Sequence, residues 1–225
     1  MNPWRVILTI AAKDWRIEGR ARDVLTATVF FAGLVVMILA FAFGPETTRL
    51  REAAPGVLWV AIAFSSILAA SRAFASEAED GALEALLLYP VPHELIYLGK
   101  LLSNVGLMLM LALLVTPLTI LLYAVNVGPN TPMLALTVFL GVIGFSIIAT
   151  FQSSLTVNLR ARESLLPVLI FPLVVPVVIG AVKATTLIVT NGSGIEIWGW
   201  LRLLIGFNIV YVTVCTLVFP FAVES

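Results

Sequence analysis

The feature that most constrains this chain is a run of 59 residues, Leu101 to Leu159, without a single Asp, Glu, Lys or Arg. A helix needs about 20 apolar residues to cross a hydrocarbon core of about 30 Å, so this run is too long for one crossing. It is interrupted by Asn126-Val-Gly-Pro-Asn-Thr-Pro132, a cluster of turn-forming residues. The run therefore predicts two membrane-spanning helices joined by a tight loop.

Four further stretches lack charged residues: Val24–Pro45, Ala53–Ser71, Ser164–Val182 and Leu203–Val223. They do not alternate in polarity as barrel strands do, and backbone groups in a bilayer core must be satisfied within the segment. The prediction is an all-α, polytopic membrane protein that forms a single domain over 1–225. Its six spans are expected at about 24–43, 55–71, 101–125, 133–157, 164–182 and 201–222.

Composition excludes several other classes of protein. The chain is 60% hydrophobic and 12% charged, whereas soluble domains carry about 25% charged residues. Its 13 basic and 13 acidic residues cancel, so the basic footprint of a nucleic-acid binder is missing. A single cysteine, Cys215, excludes a disulfide framework, and a single histidine, His93, leaves little for a metal or haem site within one chain.

Lys and Arg placement predicts the orientation. With the N-terminus inside, the inner segments carry nine basic residues and the outer segments carry Arg49, Arg51, Lys183 and Arg202, which favours both termini in the cytoplasm. Trp59, Trp198 and Trp200 are expected near the outer edges, as in an aromatic belt. The 23 residues before the first span favour a retained span over a cleaved signal peptide.

Residues 4–22 predict an interfacial helix. On a helical wheel, an apolar face opposes a basic side, while Asp14 and Glu18 intrude near the apolar face. The apolar face is formed by Trp4, Ile7, Leu8, Ala11 and Trp15, and the basic side by Arg5, Lys13, Arg16 and Arg20. Two compatible interpretations are an orientation signal and an elbow helix that braces the first span.

The segment 72–100 is too long for a plain connector between spans. Ser76 and Glu79 have the spacing of a capping box, which predicts a new helix that Pro90 ends. Glu77, Asp80 and Glu84 share one face of that helix, and Leu83, Leu86 and Leu87 share another. The segment is interpreted as a docking surface for a cytosolic partner, with a solvated acidic face as the alternative. Lys100 closes it and is expected to snorkel to the headgroups more readily than to pair with an acid.

The pattern Glu77-x-x-Asp-Gly-Ala-Leu-Glu84, followed by Pro90 and Lys100, resembles the coupling segment of ABC-2-type transporter permeases. Gly44-Pro45-Glu46, Ala54-Pro-Gly-Val-Leu-Trp59 and the proline-rich run Leu166–Pro176 narrow the resemblance to the CcmB family of haem exporter proteins. This resemblance covers essentially the whole chain.

The resemblance implies the membrane component of an ABC complex of cytochrome c maturation in the bacterial cytoplasmic (inner) membrane. The expected partners are a cytosolic ABC ATPase, other maturation membrane proteins, a haem chaperone and a second copy of the chain. Haem is then a possible substrate without assigned contact residues, and ATP belongs to the ATPase. The expected ATPase-coupling residues are Glu77, Asp80, Gly81, Leu83, Glu84, Leu87 and Pro90.

The motifs in the sequence also favour a permease that carries no catalytic groups of its own. Gly99-Lys100 is followed by Leu101, so the chain has no P-loop, and any ATP dependence requires a partner. The span centres hold no Asp, Glu or Lys, which argues against ion coupling. The stripe Ser146, Thr150 and Ser154 in the fourth span predicts helix packing rather than a substrate lining.

Two alternatives to haem delivery remain open, and a third is excluded. An ABC-2 permease for a drug, a lipid or a polysaccharide would share the same architecture, and so would an assembly scaffold that transports nothing. An enzyme such as an intramembrane protease fails because the chain has no second histidine and no Asp pair in its spans.

Overall fold

The computed structural model describes residues 2–21, 23–79, 86, 88, 90–158 and 166–223. Within these ranges the regular structure is helical, as predicted. The elements are α1 (Pro3–Ala21), α2 (Asp23–Phe43), α3 (Thr47–Glu79), α4 (His93–Leu122), a 3₁₀ turn (Gly128–Asn130), α5 (Thr131–Asn158), α6 (Leu166–Val189) and α7 (Gly194–Val223).

Five helical stretches of the described chain are long and apolar enough to cross a membrane: Asp23–Phe43, Thr47–Ala75, His93–Leu122, Gly128–Leu155 and Gly194–Phe221. The remaining expected span, 164–182, corresponds to α6, whose described apolar part, Leu173–Val189, is shorter. Most helices extend beyond the predicted spans; α3, for example, begins at Thr47 rather than at 55. The reason is that charge-free runs mark the apolar zone, whereas Arg, Lys and Glu at its borders are themselves good helix formers.

The turns between α2 and α3 and between α4 and α5 form where the sequence predicted them. Gly44 closes α2 with a φ of +76°, and Gly128 opens the 3₁₀ turn with a φ of +50°, conformations that glycine adopts without strain. Arg51 Nε donates to the Ala124 carbonyl over 2.7 Å, and Tyr123 OH donates to the Val36 carbonyl over 3.0 Å. These bonds gather the end of α2, the start of α3 and the end of α4 at one end of the bundle, opposite the segment that joins α3 to α4.

The centre of the bundle is α5, which packs against α3, α4, α6 and α7. Small residues line it: a Cβ on Gly141 would overlap the Trp59 ring, and one on Gly144 would come within 2.8 Å of Val177 and Asn208. Ser146 and Thr150 are also buried. Close approach over small residues is how helices associate where lipid removes the hydrophobic driving force, so the packing interpretation of the α5 stripe is confirmed.

Trp59 is a core residue, and its prediction as a belt residue is wrong. It is 1% exposed, its ring stacks on Phe145 with a centroid separation of 5.8 Å, and its Nε1 donates to Thr185 Oγ1 over 2.9 Å. The prediction used only the distance along the chain from the end of the span. The ring turns inward because Gly141 leaves room for it and Thr185 satisfies its N–H.

Helix α1 lies against α4 and scarcely touches α2. Ile7, Ile10 and Ala11 are buried in this contact, whereas Trp4 and Leu8, assigned to the same apolar face, remain 72% and 57% exposed. The expected elbow is therefore extended: α1 meets the first span through a hydrogen bond between Glu18 and Leu25, but most of its contact is with α4. A wheel of one helix shows which residues are apolar, but not which part of the apolar arc a neighbour covers.

Candidate coupling site

Only part of the predicted coupling segment lies within the described residues. Glu77 falls in the last turn of α3, and Pro90 is exposed at a bend, two residues before Pro92 precedes α4. The other predicted coupling residues, Asp80, Gly81, Leu83, Glu84 and Leu87, lie outside the described residues. Leu86 packs against the core while Leu88 is 87% exposed, which agrees with one apolar side turned toward the protein.

The capping box predicted at Ser76 is wrong. Helix α3 continues without interruption from Thr47 through Glu79, so the backbone at Ser76 is already helical. An N-cap requires non-helical dihedrals at the capping residue. The second span and the beginning of the acidic segment are therefore one continuous helix.

On the α4 side, the segment is anchored by a buried ion pair. Lys100 Nζ lies 3.4 Å from Asp14 Oδ2, and the side chains are 3% and 16% exposed. The ammonium also lies 5.5 Å from the centre of the Phe74 ring near the end of α3. A buried ammonium requires a compensating charge, so Lys100 points into the protein, and its expected snorkelling is wrong. Lys13 shares Asp14, at 3.3 Å from Oδ1.

Two glycines seven residues apart let α1 approach α4 closely. A Cβ on Gly99 would lie 2.8 Å from the Cβ of Ile10, and a Cβ on Gly106 would overlap the ring of Trp15. Ile10 meets Gly99 and Trp15 meets Gly106, so the two helices run in the same direction over the contact. Only glycine permits this separation, because Ile10 is branched at Cβ and Trp15 is rigid.

Hydrogen bonds tie the root of the segment to the centre of the bundle. Ser71 Oγ lies 3.3 Å from Ser153 Oγ, and Asn104 Nδ2 donates to Thr150 Oγ1 over 3.1 Å. Tyr97 OH donates to a backbone carbonyl of α5 over 3.0 Å. Both helices that leave the segment are thus attached to α5. We call the set Asp14, Phe74, Tyr97, Gly99 and Lys100 the coupling root.

The coupling root is a set of contacts between three helices. It joins α1, α3 and α4 through a charge pair, a ring contact and a close backbone approach. Across the described part of the chain, no group of three His, Cys, Asp or Glu side chains converges as a metal site requires.

Sequence reasoning missed most of the coupling root. It treated Asp14 as an intruder on an apolar face, although an acid there is a signal that a buried cation lies opposite. The spacing of Gly99 and Gly106 was a second available signal, since two glycines on one helical face indicate a close neighbour. Phe74 carries no pattern that would single it out.

Comparison with known proteins identifies the family. The model of the CcmB protein family matches residues 5–225, almost the whole chain. The chain belongs to the CcmB family. A "Heme exporter protein B" from Haemophilus influenzae is 30% identical over 220 residues, covering 98% of this chain and 96% of the relative. Proteins of the same name from Pseudomonas aeruginosa and Paracoccus denitrificans are 33% and 34% identical over 80% and 76% of this chain, and 82% and 78% of their own lengths.

This CcmB protein is a multi-pass membrane protein of a transport family. Both its family membership and its long apolar helices support that description.

Proposed function

We propose that this CcmB protein is the membrane component of an ATP-driven ABC complex that delivers haem in cytochrome c biogenesis. A separate cytosolic ATPase hydrolyses ATP, and the chain converts that work into transfer of haem or release of a haem-loaded chaperone. The names of its relatives support haem as the cargo. The observation that carries the coupling role is that α3 and α4, which flank the acidic segment, are tied to α1 and α5 by the Lys100–Asp14 ion pair and by two side-chain hydrogen bonds.

The proposed docking contact is the acidic segment itself. Glu77, Asp80 and Glu84 would meet basic residues of the ATPase, while Leu83 and Leu87 fill an apolar cleft of that partner. An ATPase works as a pair of subunits, so two copies of this chain would offer two symmetric docking sites. In this proposal the complex resides in the bacterial inner membrane with both termini of the chain in the cytoplasm.

The docking test compares wild type with a Glu77/Asp80/Glu84→Ala variant. The matched control is Glu46/Glu52/Glu196→Ala, which removes three exposed carboxylates outside the segment. Co-purification of the neighbouring ATPase, its ATPase rate and the yield of c-type cytochromes are measured in the same cells. We expect the first variant to lose all three and the control to retain them.

The outcomes of that experiment separate the parts of the proposal. Intact ATPase binding in the first variant would refute docking through the acidic segment. Lost binding with a normal cytochrome yield would retain an ABC permease but discard haem delivery, which favours another cargo. Normal binding and a normal yield in cells whose ATPase is inactivated would indicate a scaffold rather than a transporter.

A second variant, Gly99→Ala, tests transmission separately from docking. The added methyl group would overlap Ile10 and push α1 away from α4 without altering the proposed docking residues Glu77, Asp80 and Glu84. We expect the ATPase to bind normally while the cytochrome yield falls at least several-fold. Gly33→Ala on α2 is the control, because a Cβ there meets nothing within 4 Å. An unchanged yield in Gly99→Ala would show that α1 takes no part in transmission.

Orientation is tested with single cysteines in a Cys215→Ala background. The native thiol is 6% exposed, so its removal leaves a clean reference. A membrane-impermeant maleimide added to intact cells should label Asn191→Cys in the α6–α7 turn but not Asn2→Cys. The reverse pattern would overturn the proposed orientation.

A further inference from the structure

Helix α1 presents three faces rather than two. Ile7, Ile10 and Ala11 are buried against α4. Beside them runs an exposed apolar edge formed by Trp4, Leu8 and Trp15, which are 72%, 57% and 43% exposed. The third face carries Arg5 and Arg16, which are exposed, and Lys13, which is half-buried. We call the face of Trp4, Leu8 and Trp15 the apolar edge and the face of Arg5, Lys13 and Arg16 the basic face.

The apolar edge continues into a cavity behind Trp15. This cavity of about 310 Å³ lies between α1, α2 and α4 and is lined mainly by apolar groups, including Leu25, Leu107 and Met110. The cavity wall also contains the carboxylate of Glu18. Its Oε1 accepts a hydrogen bond of 2.7 Å from the Leu25 N–H in the first turn of α2. Met110 is itself 42% exposed, so the cavity opens beside the membrane-spanning surface.

The basic face is an open surface along α1. Arg5, Lys13 and Arg16 line it together with Leu8 and Ile17. Arg5 and Arg16 are 11 residues apart, roughly 16 Å along a helix. The acid closest to this face in sequence, Asp14, is held by Lys100 and Lys13. The basic face therefore offers guanidinium groups that match a phosphate.

We propose that α1 is a binding site for anionic phospholipid. Arg5 and Arg16 each hold a headgroup phosphate, and the apolar edge and the cavity behind Trp15 take the acyl chains. Exposure of these tryptophan and leucine side chains to water is unfavourable, because their apolar surface would remain hydrated. An amphipathic helix with Trp and Arg side chains is instead suited to the membrane interface. Net positive charge selects anionic over zwitterionic lipid. This inference does not depend on the ATPase or on the cargo.

The test measures quenching of tryptophan fluorescence by brominated lipids in the purified full-length chain. A Trp198→Phe/Trp200→Phe background leaves Trp4 and Trp15 accessible, while Trp59 is buried and serves as an internal reference. Micelles contain brominated phosphatidylglycerol or brominated phosphatidylcholine. We expect the anionic lipid to bind more tightly, and each arginine removed by Arg5→Gln or Arg16→Gln to lower that preference about fivefold, as ~1 kcal/mol per basic residue implies.

The control is Lys183→Gln/Arg202→Gln, which removes the same charge from exposed positions on α6 and α7. Its lipid preference should match the background protein, and all variants should retain the Trp59 signal if they are folded. The proposal is overturned if the background protein has no preference, if the control loses as much preference as Arg5→Gln/Arg16→Gln, or if that double variant is unaffected.

Two further measurements distinguish phospholipid from free phosphate and from a protein partner as the ligand of α1. Inorganic phosphate at millimolar concentration should not displace the brominated anionic lipid; displacement would indicate a site for free phosphate and overturn the lipid assignment. An unchanged lipid preference in Arg5→Gln/Arg16→Gln together with loss of ATPase co-purification would make the basic face a protein-docking surface, which also overturns it.

Discussion

Two contacts between helices in this CcmB protein, which we call joints, differ in their chemistry: one is neutral and the other is charged. The tryptophan joint of Trp59, Gly141, Phe145 and Thr185 is neutral and almost completely enclosed. The coupling root instead places a charged pair between α1 and α4, with Asp14 still 16% exposed. The first joint holds α3, α5 and α6 through shape and one hydrogen bond. The second depends on charge, so it is the joint whose strength a partner or a solvent change can alter.

The largest effect is expected from Gly141→Ala in the tryptophan joint. Even one methyl group would overlap the Trp59 ring, which stacking and its hydrogen bond hold in place. Overpacking at such a site should lower the free energy of unfolding by about 3 kcal/mol. Unfolding by SDS in mixed micelles measures it, with Gly33→Ala as the control expected to change little. Equal stabilities of the two variants would mean that the joint is not tightly packed.

In the coupling root, loss of Asp14 and loss of Lys100 should lower the free energy of unfolding by different amounts. Asp14→Asn leaves a buried ammonium facing a neutral amide; because Asp14 is 16% exposed, it should lower the free energy of unfolding by about 2 kcal/mol, less than the ~3–5 kcal/mol of a fully buried pair. Lys100→Met should lower it by about 1 kcal/mol, because Asp14 retains Lys13.

A double-mutant cycle with the same SDS titration measures the coupling between Asp14 and Lys100. Additive effects of the two substitutions would show that the pair contributes no interaction energy and that the contrast between the joints is only geometric.

Thr185→Val removes the acceptor of the Trp59 N–H while keeping the side-chain shape. A buried donor left without a partner should lower the free energy of unfolding by about 1 kcal/mol. Thr186→Val is the matched control, since the Thr186 hydroxyl donates only within its own helix, to the Val182 carbonyl. If both variants behave alike, the hydrogen bond adds nothing to the tryptophan joint.

The smallest effect is expected at an exposed ion pair. Glu46 Oε2 lies 2.7 Å from Arg49 Nε, and the side chains are 56% and 69% exposed. Solvent screens such pairs, so Glu46→Gln should change the free energy of unfolding by less than about 0.5 kcal/mol. A loss as large as that of Asp14→Asn would imply that burial is not what distinguishes the coupling root.

The sequence was sufficient for the helices because charge and turn residues act locally. The charge-free runs located α2 and α5 to within a few residues, and the Asn126–Pro132 cluster located the turn before α5. Helix α7 begins earlier than expected, at Gly194 rather than at 201. These features depend on the cost of placing charge and unpaired backbone in lipid, which is a property of each segment alone.

The sequence was insufficient where a side chain depends on a distant neighbour. Trp59 looked like a belt residue because its pocket is made by Gly141 and Thr185, far away in the chain. Lys100 looked like a snorkelling residue because Asp14 lies on another helix. The proposed docking residues Asp80 and Glu84 lie outside the described residues, so their role stays a prediction.

The contact between Ile10 and Gly99 also implies that α1 is synthesised well before the helix against which it packs. The two positions are 89 residues apart in the sequence, and at about 5–20 residues per second the ribosome takes roughly 4–18 s to make that length. Throughout this interval α1 exists without the helix that it will contact. Helix α1 can therefore reach its final position only after the third crossing has been synthesised.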